Sequence, residues 1–117
     1  MKQIPESLLN TFRKYDTPTI VNSLELLDSK FRTSCFTTEQ MICVDTTLPP
    51  IVGYARTATI SASSEVDPNT KRDRSLAYYE YVSCGTAPFI SVIQDVDESP
   101  GFGAFWGEVN SNIHNAL

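Results

Sequence analysis

At 117 residues the chain has room for one domain and a modest core, burying roughly two-thirds of the surface that the unfolded chain exposes. A net charge of −5, with the 9 basic residues scattered and never in a run, argues against nucleic acid and anionic membranes as direct partners. Cys35, Cys43 and Cys84 form no CxxC, so neither a disulfide framework nor a structural zinc site is supported, and a reducing compartment fits best. The first residues, Met-Lys-Gln-Ile-Pro-Glu, hold no apolar h-region, and no segment approaches the ~18 apolar residues of a membrane span. The expectation is a soluble, cytoplasmic protein.

Pro5 suits the first position of a helix, and Leu8, Leu9, Phe12 and Tyr15 mark one face, which predicts a short amphipathic helix over residues 5–14. Thr17-Pro18 restarts the chain as a cap followed by proline, and Ile20, Val21, Leu24 and Leu27 stripe a second helix. Both read as packing elements. Met41-Ile42-Cys43-Val44 could form a brief strand before Leu48-Pro49-Pro50 breaks the chain. Residues 51–60 then read as a strand of β-branched and small residues with one charge, Arg56, which is more at home in an ion pair or at a solvated edge than in a ligand site.

Asp67-Pro68 repeats the start signal. Leu76, Tyr79 and Val82 share one face of the predicted third helix, Glu80 points elsewhere, and Gly85 supplies the C-cap. Pro88-Phe89-Ile90-Ser91-Val92-Ile93 is apolar and uncharged, the pattern of a strand buried on both faces. Asp95, Asp97 and Glu98 follow with Pro100-Gly101-Phe102-Gly103. Phe105, Val109 and Ile113 then recur at helical spacing, so a last helix opens between Gly103 and Gly107. The order of helices and strands is α/β in character, in two or three layers. The last helix reaches Leu117 without a capping Gly or Asn, which leads us to expect that the chain is part of a longer polypeptide.

Strand, polar loop and helix make the half-unit of an α/β sheet, and ligands collect beyond the carboxyl ends of such strands, where free amides at a helix start favour anions. A site is therefore expected between Asp95 and Asn110. Carboxylates placed there suit a hard cation such as Mg²⁺ or Mn²⁺, although Asp97 and Glu98 before Pro-Gly are also ordinary solvated turn composition. Gly101, Gly103 and Gly107 permit close backbone approach, but no dinucleotide or P-loop fingerprint accompanies them. Inside a helix opening at Gly103, Gly107 would cost ~1 kcal/mol relative to Ala, so packing or a ligand would have to explain it. His114, the single histidine, forms no nucleophile constellation with its neighbours in sequence and reads as an ordinary surface or core residue. Lys2, Lys14, Lys30 and Lys71 all lie outside this stretch, so carbonyl chemistry would use a metal to polarise the substrate rather than a Schiff base.

Three stretches resemble one family in the right order. Phe105-Trp106-Gly107-Glu108-Val109-Asn110 after a buried strand, Tyr15 to Leu24 as an N-terminal helix, and Gly53-Tyr54-Ala55-Arg56-Thr57-Ala58-Thr59 as a first long strand resemble the RraA-like family. That family includes 4-hydroxy-4-methyl-2-oxoglutarate aldolases and the regulator of ribonuclease E activity. The resemblance spans nearly all of residues 1–117 as a single domain, matching the N-terminal part of a family member. It implies a layered swivelling β/β/α fold, incomplete at the C-terminus, assembling as a homotrimer or hexamer with sites between subunits. It further implies a helix starting at the late end of the range, with the backbone of Gly107, Glu108, Val109 and Asn110 holding the carboxylate of a pyruvyl group. Glu108 would be the catalytic residue that touches Mg²⁺ or Mn²⁺ through water, where family aldolases usually carry Asp. Their downstream Arg-Asp pair has no counterpart after Glu108, and Arg72-Asp73 lies upstream of it. The expected function is a metal-dependent lyase acting on a 2-oxo acid and releasing pyruvate. The alternatives are a non-catalytic regulatory protein that binds a partner such as a ribonuclease, and an enzyme of the same fold acting on another 2-oxo acid.

Overall fold

The computed structural model describes residues 3–34 and 36–117, so Lys2 and Cys35 lie outside the described residues. The chain divides into two compact units, Met1–Val52 and Gly53–Leu117.

In the first unit, α1 (Glu6–Phe12) is shorter than predicted, and Pro5 stands at its N-cap rather than at its first position. Leu9 is its buried residue, 3% exposed. The second helix, α2, spans Thr17–Leu27, and its cap is Asp16, not Thr17. The reason is geometric: Asp16 is extended, and its Oδ1 accepts the amide of Thr19 at 2.9 Å, which leaves Thr17 as the first helical residue. A 3₁₀ turn follows at Ser29–Arg32, started by Asp28 accepting the Lys30 amide at 3.0 Å. The brief strand predicted at 41–44 is not formed. Met41, Ile42 and Val44 are exposed, and no ladder exists among the described residues to take up their backbone groups.

The second unit runs β1 (Tyr54–Ile60), α3 (Pro68–Ser83), β2 (Phe89–Asp95) and α4 (Glu108–Ala116). The two strands pair in parallel from Tyr54↔Phe89 to Ile60↔Asp95. Parallel neighbours need a long crossover, and α3 supplies it. Asp67 starts α3 as the sequence indicates, its Oδ1 accepting the amides of Asn69 (3.1 Å) and Thr70 (3.0 Å) ahead of Pro68. The chain leaves α3 through Cys84 and then Gly85, whose φ of +102° is the left-handed turn that favours glycine after a helix.

One face of the sheet packs on α3. Arg56 and Ser91 are partners in register there, and the Arg56 guanidinium lies over the rings of Phe89 (4.5 Å) and Tyr81 (5.7 Å). Its Nη2 donates to the carbonyl of Cys84 at 2.6 Å, so this cation closes the C-terminal end of α3 instead of sitting at a solvated edge. The opposite face carries Ala55, Thr57, Thr59, Val92 and Gln94, all exposed. The expectation that β2 is buried on both faces therefore fails, because α3 covers the two-stranded sheet on the Arg56 side alone. Close strand approach explains Gly53: a Cβ there would stand 2.7 Å from the carbonyl oxygen of Pro88.

Val82 is the buried apolar residue of α3, at 4% exposure, whereas Leu76, predicted on the same face, is 55% exposed. The C-terminal half of α3 meets other elements through Tyr78, Tyr79, Tyr81 and Val82. Helices and a parallel sheet make the class mixed α/β. Among the described residues no helix is long and apolar enough to cross a membrane.

Candidate functional site

The carboxyl ends of β1 and β2 lie side by side, and the chain beyond each is tied to the other. Val96 continues the ladder by donating its amide to Ile60 O at 2.9 Å. Asp97 then turns its carboxylate onto the segment after β1. It accepts the hydroxyl of Ser61, the amides of Ala62 (2.8 Å) and Ser63 (3.1 Å), and the hydroxyl of Ser63 (2.7 Å). These bonds, the Ser61 hydroxyl foremost, hold its carboxyl down at about 2. Asp97 is thus a buried fastener, 9% exposed, and not the solvated turn residue its neighbours in sequence suggest.

Asp95 organises the loop itself. One oxygen accepts the amide of Asp97 at 3.0 Å and the other the amide of Gly101 at 2.7 Å. The two aspartates nearest the strand ends are therefore spent on the protein's own donors, while Glu98 is exposed. Among the described residues no three His, Cys, Asp or Glu side chains come together as a metal-holding group.

Glu108 opens α4, and Gly107 is its N-cap in extended backbone, φ −162°. Gly107 accordingly lies outside the helix. A Cβ there would meet nothing within 4 Å, so neither packing nor backbone conformation explains the glycine. What it does is withhold a capping side chain, leaving the first-turn amides of Glu108, Val109 and Asn110 without a side-chain bond from the cap. The carboxylate of Glu108 sits in this first turn.

The apolar spacing read across Phe105, Val109 and Ile113 does not describe a buried face. Phe105 precedes the helix, and Val109 is 71% exposed. The face turned inward carries Asn110, Ile113 and His114. Hydrogen bonds choose it: Asn110 Oδ1 accepts from the Tyr79 hydroxyl at 2.8 Å, and Asn110 Nδ2 donates to the carbonyl of Phe105 at 2.6 Å.

His114 is bonded at both ring nitrogens. Nδ1 lies 2.6 Å from the carbonyl oxygen of Asn110, which can only accept, so Nδ1 carries the proton. The lone pair of Nε2 then takes the Tyr78 hydroxyl at 2.7 Å. Burial holds the Tyr78 phenol above its ordinary range. Phe105 meets Tyr78 edge-on at 5.5 Å, and Trp106 lies 4.8 Å from the His114 ring. Nothing local in the sequence signals this cluster, since Tyr78 and Tyr79 stand 36 and 31 residues before their partners.

Of the residues anticipated for the site, the structure thus places Gly107, Glu108, Val109 and Asn110 together at the start of α4, with the side chain of Asn110 facing α3. Comparisons with protein-family models, with curated proteins and with solved structures returned no match to this chain.

Proposed function

We propose that the α4 start is the carboxylate-holding part of a divalent-metal-dependent lyase of the 4-hydroxy-4-methyl-2-oxoglutarate aldolase or oxaloacetate decarboxylase type, releasing pyruvate from a 2-oxo acid. One observation carries the reading: a nine-residue helix begins after an extended glycine that contributes no capping side chain, beyond the carboxyl end of a parallel strand. First-turn amides aligned with the helix dipole attract a carboxylate. In this reading the amides of Glu108, Val109 and Asn110 orient the substrate's carboxylate, and Glu108 stands beside it. The layered swivelling β/β/α architecture and a homotrimeric or hexameric assembly belong to the same proposal, on the strength of the sequence resemblance.

The donor set does not fit a resident Mg²⁺ or Mn²⁺ held by this chain alone. Asp95 and Asp97 are occupied by backbone and serine donors, and the resemblance gives Glu108 a contact with the ion through water alone. Metal dependence therefore rests on the resemblance, and these residues account for binding and orientation only. The same observation favours the second reading, a non-catalytic regulatory protein docking on a partner such as a ribonuclease, for which the net charge of −5 suits a basic surface.

The deciding assay is pyruvate release from oxaloacetate and 4-hydroxy-4-methyl-2-oxoglutarate with and without Mg²⁺, on the wild type and on Glu108→Ala. A residue acting on a metal through water is worth about 10–100-fold in activity, and that loss is expected. Undiminished metal-dependent turnover in the variant removes Glu108 from the site. A wild type silent on every 2-oxo acid, with or without metal, hands the assignment to the regulatory reading.

A further inference from the structure

The third residue of a helix commonly sends its side chain back to the cap. Asn110 occupies that position in α4 and reaches past the cap: its Nδ2 donates to the carbonyl of Phe105, two residues before Gly107, at 2.6 Å. Gly107 has no side chain with which to fix its own direction. The approach to the helix is therefore set from inside the helix, by Asn110.

Asn110 is held in turn from two sides. The Tyr79 hydroxyl donates to its Oδ1 at 2.8 Å, and His114 Nδ1 donates to its carbonyl at 2.6 Å while the Tyr78 hydroxyl steadies Nε2 at 2.7 Å. Both ends of the Asn110 amide are committed to protein partners. Its side chain is therefore not offered to a ligand, and its backbone N–H remains at the helix start.

We propose that Asn110 is the positioning residue that aims the α4 start, with Tyr79 as its anchor and Tyr78, acting through His114, as a second brace. The inference rests on the carboxylate-holding reading above, to which it adds the residues that keep the amides on target.

Tyr79→Phe removes one hydroxyl and keeps the ring. The wild type and the variant are compared by backbone NMR and by titration with pyruvate, and by 2-oxo acid kinetics where the wild type turns over. The amide of Ser111, which makes the first helical bond to Gly107 O at 2.9 Å, should exchange about tenfold faster, and the signals of Gly107 to Asn110 should move, while the amides of β1 and β2 keep their exchange rates. Pyruvate affinity should fall about tenfold, with KM raised and kcat unchanged if turnover is present. Uniformly faster exchange across Gly53–Leu117 would mean a structural hydrogen bond and no more, and unmoved signals at 107–111 would overturn the role outright. Tyr78→Phe carries the same readouts, with a smaller change expected, if Tyr79→Phe does not fold. A wild type that neither binds pyruvate nor turns over a 2-oxo acid defeats the carboxylate reading, whereas the position-by-position exchange pattern still judges Asn110.

Discussion

A carboxylate that accepts from two hydroxyls and two amides has replaced most of its water with fixed donors, and Asp97 is in that position. Its folded value of about 2 lies below the ordinary 3.8, so the folded state binds fewer protons than the unfolded one across that window. Stability from Asp97 is then fully present above about pH 4 and is withdrawn as the pH falls toward 2. Urea unfolding of the wild type and Asp97→Asn should show a gap at neutral pH that closes on acidification. A gap of constant size from neutral pH to pH 2 would contradict the hydrogen-bonded anion. Nothing next to Asp97 in sequence announced this role, because its four donors come from Ser61, Ala62 and Ser63, 34 to 36 residues away. Arg56 escaped sequence reading for the same reason: its acceptor, Cys84 O, is 28 residues on.

Elements with chemical start signals were the most legible. Asp67-Pro68 is a cap whose carboxylate takes two amides, and Asp16, one residue before the expected cap, starts α2 by taking one. Faces were less legible, since periodicity names the apolar positions without saying which of them find a partner: Val82 does, while Leu76 and Val109 do not. On α4 a polar residue and a histidine face inward because two tyrosines of α3 supply the donor that each needs. The bare cap of α4 has a direct test in Gly107→Ser. The extended backbone accepts serine, and there is space for the side chain. Its hydroxyl would accept an amide of the first turn and stabilise the helix by a few tenths of a kcal/mol, roughly the difference between Ser and Gly at an N-cap. The same amide would then be lost to a carboxylate ligand, so thermal stability should rise while pyruvate affinity falls. Affinity that holds or improves would take these amides out of the site.

For the whole molecule, the α/β class was legible because a strand, a capped helix and a second strand in sequence leave few other arrangements. The layering was not, since the outer face of the sheet differs from the α3 face only in what happens to cover it. Parallel sheets are ordinarily covered on both faces, yet Val92 is 46% exposed here beside exposed threonines. The proposed assembly predicts that sedimentation velocity will find a species of three times 13.0 kDa, or twice that for a hexamer. A single monomeric boundary up to high concentration would remove the assembly from the proposal.

Trp106 is the chain's single tryptophan, one residue before Gly107 and against the His114 ring, with 48% of its surface open. Intrinsic fluorescence excited at the indole band therefore originates from one place in the molecule, the approach to α4. The His114 ring is within contact reach of the indole, and about half of the residue is open to iodide from solution. The emission colour reports how wet that approach is, iodide quenching reports how open it is, and an anion settling on the first turn would be felt by both without any label being attached.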